Sequence, residues 1–105
     1  MVIELSADDA RGVALWAQGL VPGVLPSVSS RASLGRRTAA VEATLRRLGA
    51  VQLDTVSVLA RSHELVQYAR LGAVGRDAVE AAYWGGGSGL EHPHEATTFE
   101  YWSHA

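Results

Sequence analysis

The chain has 105 residues, a formal net charge of −2, 48% hydrophobic residues, 19% charged residues and no cysteine. This length supports one small domain, and the composition is that of a folded chain, not a disordered one. Without cysteine there are no disulfides or thiolate metal sites, and nothing resembles a secretory signal or a membrane span. We therefore expect a cytoplasmic domain that does not enter a membrane.

All nine basic residues are arginine. A guanidinium group matches the geometry of phosphates and of guanine edges, so arginine is suited to binding DNA. A lysine-free composition is equally typical of a GC-rich coding sequence. Because the net charge is negative, a DNA-binding role requires either a segregated basic face or phosphate contacts supplied elsewhere.

The first helix is predicted at about 7–20. Ser6 can cap it, and Asp8 and Asp9 fall in the first turn, where the helix dipole favours acids. Apolar residues recur at helical spacing along one face: Ala10, Val13, Ala14, Ala17 and Leu20. A loop rich in proline, glycine and serine follows, and it carries Arg31, Arg36 and Arg37.

The second helix is predicted from a Thr38 cap to about Leu48, with Val41 and Leu45 on its apolar face and Gly49 as its stop. Residues 50–56 then alternate between apolar and polar side chains, which predicts a short extended segment.

Two further helices are predicted. Ser62 is expected to cap the third, which ends at Gly72 and buries Leu65, Val66 and Ala69. The fourth covers about 76–84 and buries Val79, Ala82 and Tyr83. A flexible glycine-rich loop is expected near 85–95. The aromatic block of Phe99, Tyr101 and Trp102 is expected to pack against a following part of the chain, although aromatic rings can also stack on bases.

Gln52 and Asp54 are the strongest candidates for catalysis. Residues two apart in a strand face the same side, so an amide and a carboxylate would lie together. An amide can orient a water molecule, and a carboxylate can deprotonate that water or stabilise a developing cation. The spacing alone also fits a polar strand face, or an aspartate that caps a turn.

The segment 48–63 with its continuation 68–72, the opening residues 5–20, and the block 99–105 resemble the winged-helix DNA glycosylases of the YcaQ/AlkZ type. Residues 73–97 resemble the family least. One branch of the family has a Gln-apolar-Gln motif and the other a Gln-apolar-Asp motif, and Gln52-Leu53-Asp54 is similar to the second. That branch removes N7-alkylated guanines and unhooks interstrand crosslinks.

The resemblance implies a mainly α fold with short β segments, in a winged helix-turn-helix arrangement. It also implies that 1–105 is a truncated N-terminal portion of a protein with several winged-helix units. The expected function is that of a monomeric, cofactor-free DNA repair glycosylase. It would hydrolyse the N-glycosidic bond in alkylated double-stranded DNA, with Gln52 and Asp54 catalytic, and the portion alone would be inactive.

Candidate DNA contacts are Arg61, Ser62 and His63 at the start of the third helix, together with Arg36 and Arg37. A basic residue and a hydroxyl at a helix N-terminus suit a phosphate, although Ser62 could equally be only a cap. No metal site is predicted, because Gln67 replaces the second histidine of a His-Glu-x-x-His motif and the His92–His94 pair is weak. A non-catalytic DNA-binding regulator and an inactive gene fragment are the alternatives.

Overall fold

The computed structural model describes residues 1–53, 59–85 and 98. Four helices make up its regular structure: α1 (Ala7–Ala17), α2 (Leu34–Leu48), α3 (Ser62–Leu71) and α4 (Arg76–Trp84). The prediction of a mainly helical chain is confirmed. The described part contains no strand: 50–53 are irregular, and the rest of the predicted extended segment lies outside it. Across the described ranges, no helix has the length and apolarity that a membrane crossing requires.

Helix α1 begins where the sequence predicted. The Ser6 hydroxyl accepts a hydrogen bond from the backbone N–H of Asp9, and the Asp9 carboxylate accepts one from the backbone N–H of Ser6. This reciprocal pair satisfies two of the N–H groups that a helix start leaves open. The end lies at Ala17 and not near Leu20, because the Leu20 N–H bonds back to the Leu15 carbonyl around Gly19, whose φ is 70°.

Two arginine side chains attach the end of α1 to the rest of the chain. Arg47 donates to the carbonyls of Trp16 and Ala17 and lies over the Trp16 ring. Arg70 donates to the carbonyl of Gln18 at 2.7 Å. No residue of α1 is buried, so its apolar stripe does not face a core. The helix is held by polar contacts with its C-terminal carbonyls instead of by packing of its face.

Helix α2 begins earlier than predicted. Its cap is Ser33, whose hydroxyl accepts from the Arg36 N–H, and not Thr38. Leu34, Arg36 and Arg37 are good helix formers, and the chain is helical before it reaches Thr38 despite Gly35. The end at Leu48, followed by Gly49, is as predicted.

The core lies mainly between α2 and α4. Val41 of α2 is fully buried, and it packs in one cluster with Val74 and with the inward face of α4. That face consists of Ala78, Val79 and Ala82, with Tyr83 partly buried beside it. The predicted bounds and buried face of α4 are therefore confirmed. These side chains are small and bury little apolar area each, so we expect contacts at the ends of the helices to help hold α2 and α4 together.

Arg37 supplies those contacts. Its guanidinium donates to both carboxylate oxygens of Asp77, at 2.6 and 2.7 Å, and to the carbonyls of Ala32 and Val74. The N-cap of α4, Gly75, has a φ of 90°, and a Cβ there would lie 2.6 Å from both Arg37 Nη1 and Asp77 Oδ1. Glycine at position 75 thus leaves the space that the ion pair occupies.

We expect the Arg37–Asp77 pair to make the fold sensitive to acid. The hydrogen bond from Arg37 is the main cause that lowers the pKa of Asp77 from 3.8 to about 2. A carboxylate with a lowered pKa stabilises the fold fully above its unfolded pKa, and this contribution is lost as the pH falls from about 4 to about 2. Urea denaturation at pH 7, 4 and 2.5 measures this effect. At pH 7 the free energy of unfolding of Asp77→Asn should lie below that of the wild type, and the difference should become smaller as the pH falls.

The matched control is Asp8→Asn, which removes an exposed carboxylate paired with Arg11 on α1. Such exposed pairs contribute little, so this variant should follow the wild-type curve. A difference in the free energy of unfolding between wild type and Asp77→Asn that stays constant from pH 7 to 2.5 would contradict the role assigned to the pair.

Candidate functional site

The first candidate surface is the junction between Gln52 and the start of α3. The Ser62 hydroxyl donates a 2.9 Å hydrogen bond to the backbone carbonyl of Gln52, across ten positions of sequence. The flanking residues Val51 and Leu53 are half-buried, whereas Gln52 itself is exposed. The chain is thus tied to the helix through its backbone, and the amide side chain of Gln52 faces solvent. Asp54, the second predicted catalytic residue, lies outside the described residues.

Ser62 does not have the predicted capping role. The N-cap of α3 is Arg61, which makes no side-chain capping hydrogen bond, and Ser62 is the first helical residue. Its hydroxyl is directed to the Gln52 carbonyl instead of to the N–H groups of its own helix. The Ser62 hydroxyl thus links the start of α3 to the segment that contains Gln52.

The predicted DNA contacts fall in different environments. Arg36 is exposed near the start of α2, and its side chain has no hydrogen bond or ion pair with the residues described. Arg37 is engaged by Asp77 and two carbonyls, and its side chain is only 13% exposed. His63 is fully buried. A phosphate could therefore meet Arg36 directly, would compete with internal partners for Arg37, and would not reach the His63 ring in this conformation.

The second candidate site is the polar interface between α3 and α4. The prediction that Leu65, Val66 and Ala69 form the buried face of α3 is wrong, because the fully buried residues are His63 and Gln67. They lie four positions apart and so share one face of the helix. Leu65 and Ala69 are exposed.

Aromatic rings from α4 explain why polar side chains occupy this face. The His63 ring lies 5.0 Å from the ring of Tyr83 and 5.4 Å from that of Trp84, the second contact being edge to face. The amide of Gln67 donates to the Tyr83 hydroxyl at 3.3 Å. Tyrosine and tryptophan combine an apolar ring with a hydrogen-bonding group, so they pack well against polar side chains. The spacing of apolar residues along α3 does not predict this contact.

Burial governs the protonation of the two titratable rings. Desolvation, followed by the nearby charge of Arg61, lowers the pKa of His63 below its ordinary value. The ring is therefore neutral at pH 7, with a lone pair on one nitrogen. Burial raises the pKa of the Tyr83 phenol, which stays protonated and keeps its polar hydrogen.

Several buried polar atoms in this interface have no hydrogen-bond partner. In the described part of the chain they include both ring nitrogens of His63 and Oε1 of Gln67. Each unpaired buried polar group costs about 1–3 kcal/mol, so a small domain retains such groups at a real loss of stability.

Two carboxylates lie next to the His63 ring. Glu64 follows it on α3, and Glu80 projects from α4; one ligand atom from each of the three side chains lies within 4.8 Å of the others. Arg76 pairs with Glu64, donating to Oε2 at 3.2 Å. This cluster has no signature in the sequence, because the packing of α4 brings Glu80 to His63 and no local spacing links the two residues.

No protein-family model matches the sequence, and no solved structure matches the fold.

We expect the polar interface to lower stability. His63→Leu removes two unpaired ring nitrogens while keeping a side chain of similar size, so it should raise the free energy of unfolding by about 1–2 kcal/mol. Tyr68→Leu on the exposed face of α3 is the control and should change it by less than about 0.5 kcal/mol. Urea denaturation in the presence of a metal chelator measures the free energy of unfolding of both variants. A lower value for His63→Leu than for the wild type would disprove the expectation.

Proposed function

We propose that this chain carries the catalytic segment of a DNA glycosylase that hydrolyses the N-glycosidic bond of N7-alkylated purines. Gln52 and Asp54 are the catalytic pair. The winged helix-turn-helix arrangement, the short β segments and the association with alkylated double-stranded DNA belong to this proposal. So do the monomeric state, the cytoplasmic location and the unhooking of interstrand crosslinks.

One observation carries the proposal beyond the motif. The Ser62 hydroxyl holds the Gln52 carbonyl at the start of α3, and the Gln52 side chain is exposed. A group that positions a reacting water must be both fixed in place and open to the substrate. A backbone tether that leaves the side chain outside satisfies both requirements. The motif residues also lie within the longest stretch of the sequence that resembles the glycosylase family.

The reaction suits a pair of this kind. An N7-alkylated purine is already cationic, so it departs as a neutral base and needs no strong general acid. The remaining task is to stabilise an oxocarbenium-like sugar and deliver water to its far face. Asp54 would stabilise the cation and accept a proton from water, while Gln52 would orient that water.

In this proposal the DNA contacts come from arginines whose side chains are exposed. Arg36 and Arg31 are exposed around the start of α2, where they can meet phosphates without breaking an internal bond in the part of the chain that is described. Arg37 instead belongs to the scaffold, since its donors are already used between α2 and α4. Because the net charge is −2, the proposal assigns most phosphate contacts to the longer protein that the resemblance implies.

We expect Asp54→Asn to separate binding from chemistry. Loss of the carboxylate removes stabilisation that exists only in the transition state, so release of N7-methylguanine from duplex DNA should fall at least about a hundredfold. Binding of the same duplex should stay within about threefold of the wild-type value. Gln52→Ala should reduce release as well, because the water is no longer oriented.

The assay is made with this chain and with the longer protein that the resemblance implies, under single-turnover conditions. Gln18→Ala is the matched control: it removes an exposed amide whose residue contacts Arg70 only through its backbone carbonyl. Full base release by the Asp54→Asn protein would refute the catalytic assignment. Duplex binding without base release by the longer wild-type protein would favour a non-catalytic DNA-binding regulator.

A further inference from the structure

Unpaired buried atoms converge at one point between α3 and α4. Both nitrogens of His63, which is fully buried, lack a partner among the described residues. Oε1 of Glu64 is also buried and lacks a hydrogen bond: it lies 3.0 Å from Nε of Arg76, but not in hydrogen-bond geometry. The neutral His63 ring has a lone pair on one nitrogen, and neither that nitrogen nor Oε1 of Glu64 accepts a hydrogen bond from the described residues.

The third group, Glu80, comes from the neighbouring helix. One ligand atom each of His63, Glu64 and Glu80 lies within 4.8 Å of the other two. Around a tetrahedral ion with bonds of about 2.0–2.2 Å, ligand atoms stand about 3.4 Å apart. The cluster is therefore slightly wider than a loaded site, and the exposed Glu80 side chain can close the difference by rotating about its own bonds.

We propose that His63, Glu64 and Glu80 bind a divalent transition-metal ion of the zinc class. An imidazole nitrogen with two carboxylate oxygens suits zinc, or cobalt as its substitute, better than the all-oxygen sets that magnesium and calcium prefer. Three protein ligands leave a position open for water or for a further ligand. This inference is independent of the proposed glycosylase function and uses none of its catalytic residues.

The surroundings of the cluster fit that role. Arg76 donates to Oε2 of Glu64, and its Nε lies 3.0 Å from Oε1, so the guanidinium fixes the orientation of the carboxylate and would turn away from Oε1 when the ion binds. Hydrogen bonds of this kind to ligating groups are a regular feature of metal sites. Glu64 also lines an open groove beside the start of α4, so this ligand of the cluster can be reached from solvent. The rings of Tyr83 and Trp84 pack against the imidazole and limit its movement.

The incomplete His-Glu-x-x-His motif led to the prediction of no metal site, and the folded chain supplies a ligand that the motif lacks. His63, Glu64 and Gln67 resemble a His-Glu-x-x-His helix in which the second histidine is missing. In the folded chain the additional ligand comes from Glu80 on α4, and Gln67 instead bonds to the Tyr83 hydroxyl. A site divided between two helices in this way has no continuous sequence signature.

The test is a titration of the chain with Co²⁺, followed by its visible d–d absorption. It is made in a His92→Asn, His94→Asn, His104→Asn background, so that His63 is the remaining histidine of the four. We expect one equivalent to bind with the absorption of a low-coordinate site, and Zn²⁺ to displace it. The imidazole resonances of His63 should shift as the ion is added.

Glu80→Gln is the decisive variant, because Glu80 is exposed and its loss does not disturb the core. It should weaken Co²⁺ binding at least about tenfold, as changes around metal sites do. Glu42→Gln, which removes a glutamate paired with Arg46 on α2, should leave binding unchanged. An absence of Co²⁺ absorption in the triple-Asn background, or equal affinities of the Glu80→Gln and Glu42→Gln proteins, would overturn the proposal.

Discussion

The contact of Arg37 with Asp77 is the constraint on which the rest of this small fold depends. The core between α2 and α4 is built mostly from alanine and valine, which bury little area each. The guanidinium adds bonds to the carboxylate of α4 and to the carbonyls of Ala32 and Val74. It thus joins the loop before α2, the turn before α4 and α4 itself. Gly75 is the residue that leaves room for this junction.

The position of α4 in turn determines the environment of α3. Tyr83 and Trp84 cover the His63 ring, and Glu80 reaches the same point from the solvent side. The start of α3 therefore contacts two different parts of the chain. His63 is directed to the interior beside α4, while Ser62 is directed to the Gln52 segment. One helix start consequently positions both candidate sites.

Local chemistry made part of this structure predictable. The capping pair of Ser6 and Asp9, the end of α2 before Gly49, and the bounds and face of α4 all follow from short-range preferences. The buried face of α3 was mispredicted because aromatic rings of another helix make polar residues acceptable there. The Glu80 contribution and the internal bonds of Arg37 depend on residues far away in sequence. The Gln52–Asp54 pair remains a prediction from pattern and resemblance.

The central functional claim is that a carboxylate at position 54 stabilises positive charge on the sugar. The most direct measurement compares the affinity for duplex DNA with a cationic pyrrolidine abasic analogue against that for the neutral tetrahydrofuran analogue. Because transition-state mimics bind more tightly than ground-state ligands, wild-type protein should favour the cation by about tenfold or more. The Asp54→Asn protein should bind both equally. Equal affinity of the wild type for the two analogues would contradict the account.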